Sequence, residues 1–447
     1  MGDKKITMIG MGYVGLVTGA AFAKHGFNTT CTTTTPGKAE KLNKGITPFY
    51  EPGLDELVKE VVDRSLFHGS TDNISCVKNS DVTFICVGTP SLPDGSIDLC
   101  HVEKSAEDIG KALAEMDRYH VVVAKSTITP STTDSLILPI LEEKSKKKVG
   151  KDFGLCMNPE FLREGAALQD SLHPDRIVVG GYDQKSIDTV MTVYEGFDCP
   201  KFRTDLRTAE MIKYGANCLL ATKITFANEF ANICEFFDVD VYEMMKGVGM
   251  DFRINPAFLN AGVGFGGSCF PKDVNAITAV AKKKGYNPRI LNAILDVNKT
   301  QPLRIIELID EKAGGVSNKR VALLGLSFKP DTDDIRYTRA LPIAESLVEK
   351  GADVIAYDPK AIENFKKLTQ KPITYAASAK EALKDADICI IQSDWSEFKS
   401  LKPEDFIKLM KTPLIIDGRR TFDPEVFIEH GVRYLGIGWK NGIVGKI

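Results

Sequence analysis

The sequence predicts an α/β protein with two doubly wound parallel-sheet domains, joined by a long central helix and a helical connector. Three observations carry that expectation. Short apolar runs alternate with helical stretches over residues 1–203 and again over 314–447. The first run is followed at once by Gly10-Met11-Gly12-Tyr13-Val14-Gly15, a pattern that closes a strand and opens a helix. Between the two halves, residues 204–237 hold no proline and read as one helix.

The elements follow in order. An apolar strand at 6–9 leads into the glycine turn, and 16–24 has helical composition. In such a turn Gly10 makes the bend, Gly12 admits a pyrophosphate, and Gly15 lets helix and strand pack. This is the Rossmann-like dinucleotide fingerprint; the competing reading is a glycine-rich turn with no ligand. The next strand is 28–32. A fold that prefers NAD places an acid at its end, and here Thr33 stands instead. Thr33 can bond a ribose hydroxyl but repels no phosphate, so NAD is the expected cofactor with NADP admitted. Glu51-Pro52-Gly53-Leu54 opens another helix. Strands at 82–87 and 121–124 end in Gly88-Thr89-Pro90 and Lys125-Ser126-Thr127, at the strand ends where open α/β sheets bind ligands. A strand at 155–157 enters Asn158-Pro159-Glu160-Phe161-Leu162-Arg163-Glu164-Gly165, and 177–180 closes the first sheet.

The long helix carries Lys213 and Asn217 four residues apart on one face, with Met211, Ile212, Leu219, Phe226 and Phe230 making an apolar one. Taken alone, Lys213 also reads as a solvated lysine. A second helical region spans 274–313. A second β-turn-α pattern starts at 320–325 without the three glycines, so no second dinucleotide site is expected; further strands are 353–357, 388–391 and 414–416.

Composition narrows the classes. Of 447 residues, 43% are hydrophobic and 26% charged, the make-up of a soluble globular chain. A net charge of −3 sets up no field for nucleic acid or an anionic membrane. No apolar run reaches the roughly 20 residues of a bilayer span. The start, Met1-Gly2-Asp3-Lys4-Lys5, has no signal-peptide pattern. Ten cysteines without metal spacing suit a reducing cytoplasm, and six scattered histidines make a metal site an unexpected one.

The chemistry gathers at 257–273, where Gly262, Gly264, Gly266 and Gly267 precede Ser268, Cys269, Phe270, Pro271, Lys272 and Asp273. A thiol beside a cation fits an activated nucleophile, against the bland reading of a small core cysteine. A nicotinamide fold with a nucleophilic cysteine points to oxidation past the aldehyde. Hydride leaves an aldehyde only after a nucleophile makes it tetrahedral; a thiolate does so as a thiohemiacetal, and a thioester results. A base must then position the hydrolytic water.

With these motifs in family order nearly end to end, the chain resembles the UDP-glucose/GDP-mannose dehydrogenase family. The match adds Pro174-Asp175-Arg176, 210–217, 264–273, Gly325-Leu326-Ser327-Phe328-Lys329-Pro330, Asp333-Asp334-Ile335-Arg336 and Asp417-Gly418-Arg419. The resemblance implies a four-electron oxidation of UDP-glucose by two NAD⁺ and water. It makes Cys269 the nucleophile. Lys213, Asn217 and Asp273 act on the C6 oxygen as base or oxyanion stabiliser, and Thr127 and Glu160 hold the water. It places Gly10, Gly12, Tyr13, Val14, Gly15, Thr33, Lys38, Thr89, Thr127, Glu164 and Arg336 at the cofactor. It places Phe161, Leu162, Lys213, Asn217, Arg253, Phe265, Gly266, Phe270, Lys329 and Arg419 at the sugar nucleotide. Arg253 reaches a neighbouring subunit's site, implying a homodimer or higher homo-oligomer. The implied domains are 1–203 for NAD, 204–313 for dimerisation and the active site, and 314–447 for the UDP-sugar. GDP-mannose and UDP-N-acetylhexosamine dehydrogenases, or an inactive nucleotide-sugar-binding module, remain alternatives. One departure stands out: after Thr127 the chain reads Ile128-Thr129-Pro130-Ser131, where the family has its proline one residue earlier and a glycine after it.

Overall fold

The computed structural model describes residues 4–439. Met1 to Asp3, on which the signal-peptide reading rested, and the end of the 314–447 domain lie outside them. The chain divides into two compact units, 1–216 and 217–447.

The first unit holds an eight-stranded sheet: β1 Lys5–Ile9, β2 Asn28–Thr32, β3 Phe67–Ser70, β4 Val82–Ile85, β5 His120–Ala124, β6 Phe153–Met157, β7 Ile177–Gly181 and β8 Lys201–Asp205. Its order is β3-β2-β1-β4-β5-β6-β7-β8. The first six strands have the dinucleotide-fold order and run parallel; β1, β4, β5 and β6 are buried and read as apolar runs, whereas β2 and β3 are polar and partly exposed. Three corrections apply to the sequence reading. The edge strand β3, of sequence Phe-His-Gly-Ser, stands where the sequence predicts no strand. The strand at 177–181 does not close the sheet: β8 does, an exposed edge strand of sequence Lys-Phe-Arg-Thr-Asp that has no apolar signature. Nor is the sheet wholly parallel, since β7 runs antiparallel to β6. The 158–176 connection contains only one short helix, Ala167–Leu172, so the chain re-enters the sheet at the end where it left. That return keeps the Asn158–Gly165 segment at the C-terminal edge of the parallel strands.

The second unit holds β9 Arg320–Leu324, β10 Asp353–Tyr357, β11 Thr374–Tyr375, β12 Ile388–Ile391, β13 Leu414–Asp417 and β14 Arg433–Gly436, in the order β11-β10-β9-β12-β13-β14. All its pairs are parallel, so it repeats the same winding plan. The first turn differs, as the missing glycines led one to expect. Asp358, after β10, turns its Oδ2 onto the amides of Leu326 and Ser327 at 2.8 and 3.0 Å, and Trp395 donates to the same oxygen.

The long helix is Leu206–Phe236, running by chain connectivity from one unit into the other. On it Leu219, Phe226 and Ile233, at heptad spacing, are exposed. Helices Val241–Gly249, Phe270–Lys283, Arg289–Thr300 and Arg304–Ala313 follow. Among the described residues no helix is long and apolar enough to cross a membrane.

The unusual loop after Thr127 has a definite path. Ser131 sits at φ +79°, where a glycine rests without strain. Buried Glu210 holds it by accepting the amides of Ser131 and Thr133, both at 2.7 Å, and the Thr133 hydroxyl at 2.6 Å. Burial raises the Glu210 pKa above the usual carboxylate value, against these donors, which lower it. Relieving a left-handed residue recovers about 1–2 kcal/mol, less about 0.4–1 for the looser unfolded chain. Ser131→Gly should therefore raise urea-unfolding stability by up to about 1.6 kcal/mol; a clear loss would show that the serine is needed here for its side chain.

Candidate active site

Each unit presents its own part of the predicted constellation. In the first, Gly10 sits at φ +112°, and a Cβ there would lie 2.7 Å from the Cys86 carbonyl oxygen. A Cβ on Gly15 would overlap the Gly10 carbonyl. Around Gly12 there is open space, and the helix Tyr13–Lys24 starts with no side chain capping its amides. These free helix-start amides beside a side-chain-free step fit a pyrophosphate. Val14 opens that helix with Tyr13. Thr33 follows β2 directly, its amide bonded to Ser70 O at 3.0 Å, and Lys38 is exposed on helix Pro36–Asn43.

Buried Glu51 was quoted in the sequence only as part of a motif. In the structure it ties the cofactor turn to the segment after Glu164. Its carboxylate accepts the Tyr13 hydroxyl and the amides of Gly165 and Ala167, at 2.8 and 2.6 Å for the last two. Tyr13 also stacks on Phe49, with ring centroids 5.0 Å apart.

At the strand ends, the Thr89 hydroxyl donates to Thr127 O at 2.8 Å, joining the β4 and β5 loops. Lys213 is not solvated: it is 2% exposed, and its Nζ lies 2.8 Å from Glu160 Oε1. Glu160 Oε2 accepts the Leu162 amide at 2.7 Å. Burial works to raise the Glu160 pKa, but Lys213, the Leu162 amide and Lys125 together hold it below the usual value, so it is ionised at neutral pH. Lys125, to which the sequence assigns no role, is buried as well. Burial pushes its ammonium down to about 8, and it donates to Asn158 Oδ1 at 2.9 Å. Phe161 carries the Arg176 guanidinium over its ring at 3.7 Å.

In the second unit, Cys269 is the N-cap of the 14-residue helix Phe270–Lys283 and is in no disulfide. Its sulfur lies 3.5 Å from the Ser268 hydroxyl. In the first turn, buried Asp273 takes the Lys272 ammonium at 2.6 Å and the Asn217 amide at 2.6 Å. Lys213 and Asn217 thus engage different carboxylates. Phe265 packs edge-on against Phe270 at 6.0 Å. Gly266 has no room for a side chain, because a Cβ would lie 2.4 Å from Tyr337 O. Arg419 donates to Gly264 O and Gln392 O, both at 3.0 Å. Lys329 lies over the Phe328 ring, and Arg336 chelates Asp334 while its carbonyl accepts the Gly267 amide at 2.8 Å. Arg253 is exposed and paired with Asp251. Among the described residues no group of three acidic, histidine or cysteine side chains is placed to hold a metal.

Family models for the UDP-glucose/GDP-mannose dehydrogenase family match at 4–198 as the NAD binding domain, 207–300 as the central domain and 322–424 as the UDP binding domain. The chain belongs to that family. Its members are NAD-dependent nucleotide-sugar dehydrogenases, and the open glycine turn fits that cofactor. A UDP-glucose 6-dehydrogenase of Haloferax volcanii is 44% identical over 421 residues, covering 93% of this chain and 96% of its own. The structure of a UDP-glucose dehydrogenase from Pyrobaculum islandicum superposes with a TM-score of 0.90 at 36% identity, covering 98% of both chains. That of a UDP-D-ManNAc dehydrogenase from Pyrococcus horikoshii gives 0.85 at 28%, covering 97% of this chain and 99% of that one.

Losing hydrogen bonds to a charged buried acceptor costs about 1.5–3 kcal/mol. Glu51→Gln in this dehydrogenase should lose that much in urea unfolding and weaken NAD⁺ binding measured by titration calorimetry. Unchanged affinity and stability would mean that the Glu51 strap is not needed to hold the cofactor turn.

Proposed function

We propose that this dehydrogenase converts UDP-glucose, two NAD⁺ and water to UDP-glucuronate and two NADH. The observation that carries the reading is Cys269 as the N-cap of the 14-residue helix Phe270–Lys283, a position that favours a thiolate. The choice of UDP-glucose over GDP-mannose or a UDP-N-acetylhexosamine is supported by 36% identity to the solved UDP-glucose dehydrogenase, against 32% to a GDP-mannose dehydrogenase and 28% to the UDP-D-ManNAc one.

NAD⁺, when bound, accepts one hydride in each oxidation. Gly10, Gly12, Tyr13, Val14 and Gly15 would hold its pyrophosphate end, with Thr33 and Lys38 at the ribose, and Thr89, Thr127, Glu164 and Arg336 would serve the same cofactor. The C6 hydroxyl gives its proton to the Asp273 carboxylate, with Lys213 and Asn217 donating to the C6 oxygen, as the first hydride is lost from C6. The Cys269 thiolate then adds to the aldehyde carbon, and Asn217 and Lys213 stabilise the oxyanion of the thiohemiacetal. Loss of the second hydride leaves a thioester. Glu160, ionised and next to the Thr127 loop, takes a proton from the attacking water. The C–S bond breaks, giving the acid and restoring the thiolate. Phe161, Leu162, Phe265, Gly266, Phe270, Lys329 and Arg419 hold the sugar nucleotide.

The division into 1–203, 204–313 and 314–447 belongs to the same proposal, as does a homo-oligomer. The exposed Leu219, Phe226 and Ile233 stripe supports a second copy packed on the long helix, with Arg253 serving that copy's site. Ten cysteines outside any disulfide support the cytoplasm as the location.

Two tests follow. With UDP-glucose the parent should form two NADH per sugar by absorbance at 340 nm, and Cys269→Ser should lose acid formation by several orders of magnitude. Normal glucuronate output from the serine variant would remove the covalent step. For the cofactor, Thr33→Asp should shift kcat/KM toward NAD⁺ over NADP⁺ by at least about tenfold, the loss of one charge repulsion being worth ~1–3 kcal/mol. A parent that already rejects NADP⁺ strongly, with no shift in the variant, would show that position 33 does not read the ribose.

A further inference from the structure

The loop before Cys269 lacks any strand or helix from 261 to 268, yet most of it is buried. Its backbone groups must be satisfied by something else. Side-chain amides do it. The Gly262 amide donates to Asn228 Oδ1 at 2.7 Å, and Gln301 Nε2 donates to Gly262 O at 2.9 Å. Asn298 takes both groups of one residue: its Oδ1 accepts the Phe265 amide at 2.8 Å and its Nδ2 donates to Phe265 O at 3.0 Å. That is the pairing a neighbouring strand would supply, made by one side chain. Gln301 is steadied in turn by Asn232 Nδ2 at 3.0 Å. The fit is close, since a Cβ on Gly264 would lie 2.6 Å from Asn298 Oδ1. Asn298 and Gln301 stand three residues apart where helix Arg289–Thr300 passes into a single 3₁₀ turn, Gln301–Leu303. All three amides are nearly inaccessible to solvent.

We propose that Asn298, with Gln301 and Asn228, is a positioning residue for the nucleophile. The three amides hold the glycine-rich loop so that Cys269 stays at its helix start and Phe265 faces the sugar. None touches the reacting atoms. The inference rests on the reading of Cys269 as nucleophile, and its test separates the two.

The thiol is needed for the second hydride transfer and not for the first. In stopped flow, with full-length enzyme in excess over UDP-glucose and saturating NAD⁺, the two NADH form in two resolvable steps. Asn298→Asp keeps size and the acceptor but loses the donor to Phe265 O. The second step should slow at least tenfold relative to the first, with NAD⁺ affinity unchanged. The ratio of the two rate constants does not depend on how much protein is folded, so a merely structural role leaves it at the parent value. Should Asn298→Asp fail to fold, Gln301→Met removes the bond to Gly262 O and reads the same ratio. A parent-like ratio in the variant that folds overturns the positioning role, provided Cys269→Ser abolishes the second step. If Cys269→Ser keeps both steps, the nucleophile assignment falls and this inference with it.

Discussion

A buried carboxylate has to be met by donors, and the working ends of both sheets are organised by that requirement. Removing an ionised acid from water costs several kcal/mol unless hydrogen bonds replace the lost hydration. Glu51, Glu160 and Glu210 in the first unit, and Asp273, Asp358 and Asp417 in the second, are all nearly inaccessible to solvent. Each draws backbone amides or cationic side chains around itself. Asp417 accepts the amides of Arg419 and Phe422 and the Tyr434 hydroxyl, so the loop bearing Arg419 is set by the acid two residues before it. Loops that would otherwise wander are drawn into single conformations.

The Glu160–Lys213 pair has a different character. Replacing a buried ion pair with apolar groups is often neutral or stabilising, so such a pair is weak evidence of a structural role. Its use is better sought in chemistry. In the proposed mechanism the ionised Glu160 is the base, and a second ammonium with its pKa brought near 8 stands nearby on Lys125. The helix start under Cys269 serves the thiol in a similar way, supplying partial positive charge with no reorganisation.

The fold was largely legible in the sequence. The core strands are continuous apolar runs because helices cover both faces, and glycines mark the first turn. What escaped were short strands with little apolar trace, namely β3, β8, the two-residue β11 and β14, and the reversal of β7, which depends on where the chain returns rather than on what it is made of. The sequence names Cys269, Lys213, Asn217, Asp273 and Glu160 as candidate site residues, and the structure pairs Lys213 with Glu160 and Asn217 with Asp273. Such pairings were less legible. Lys213 paired with Glu160, 53 positions away, gives no local signal. Glu51 stood in plain view in its motif, but its bonds to Tyr13 and Gly165 join segments 38 and 114 residues off. Asn228, Asn298 and Gln301 look like ordinary helix polar residues until the loop they hold is in place.

The two sheets share one winding plan but not one use, and Asp358 shows how little separates them. Gly10 and Gly325 both make the first bend with positive φ. In the first unit no side chain caps the helix that starts beyond the bend. In the second the amides beyond the bend are answered by the molecule's own anion, tethered a few ångströms away. A tethered group acts at an effective concentration that a diffusing phosphate does not match. The turn is therefore saturated from the moment the chain folds, and the second unit carries a resident, covalently attached counterpart of the ligand that the first must capture from solution.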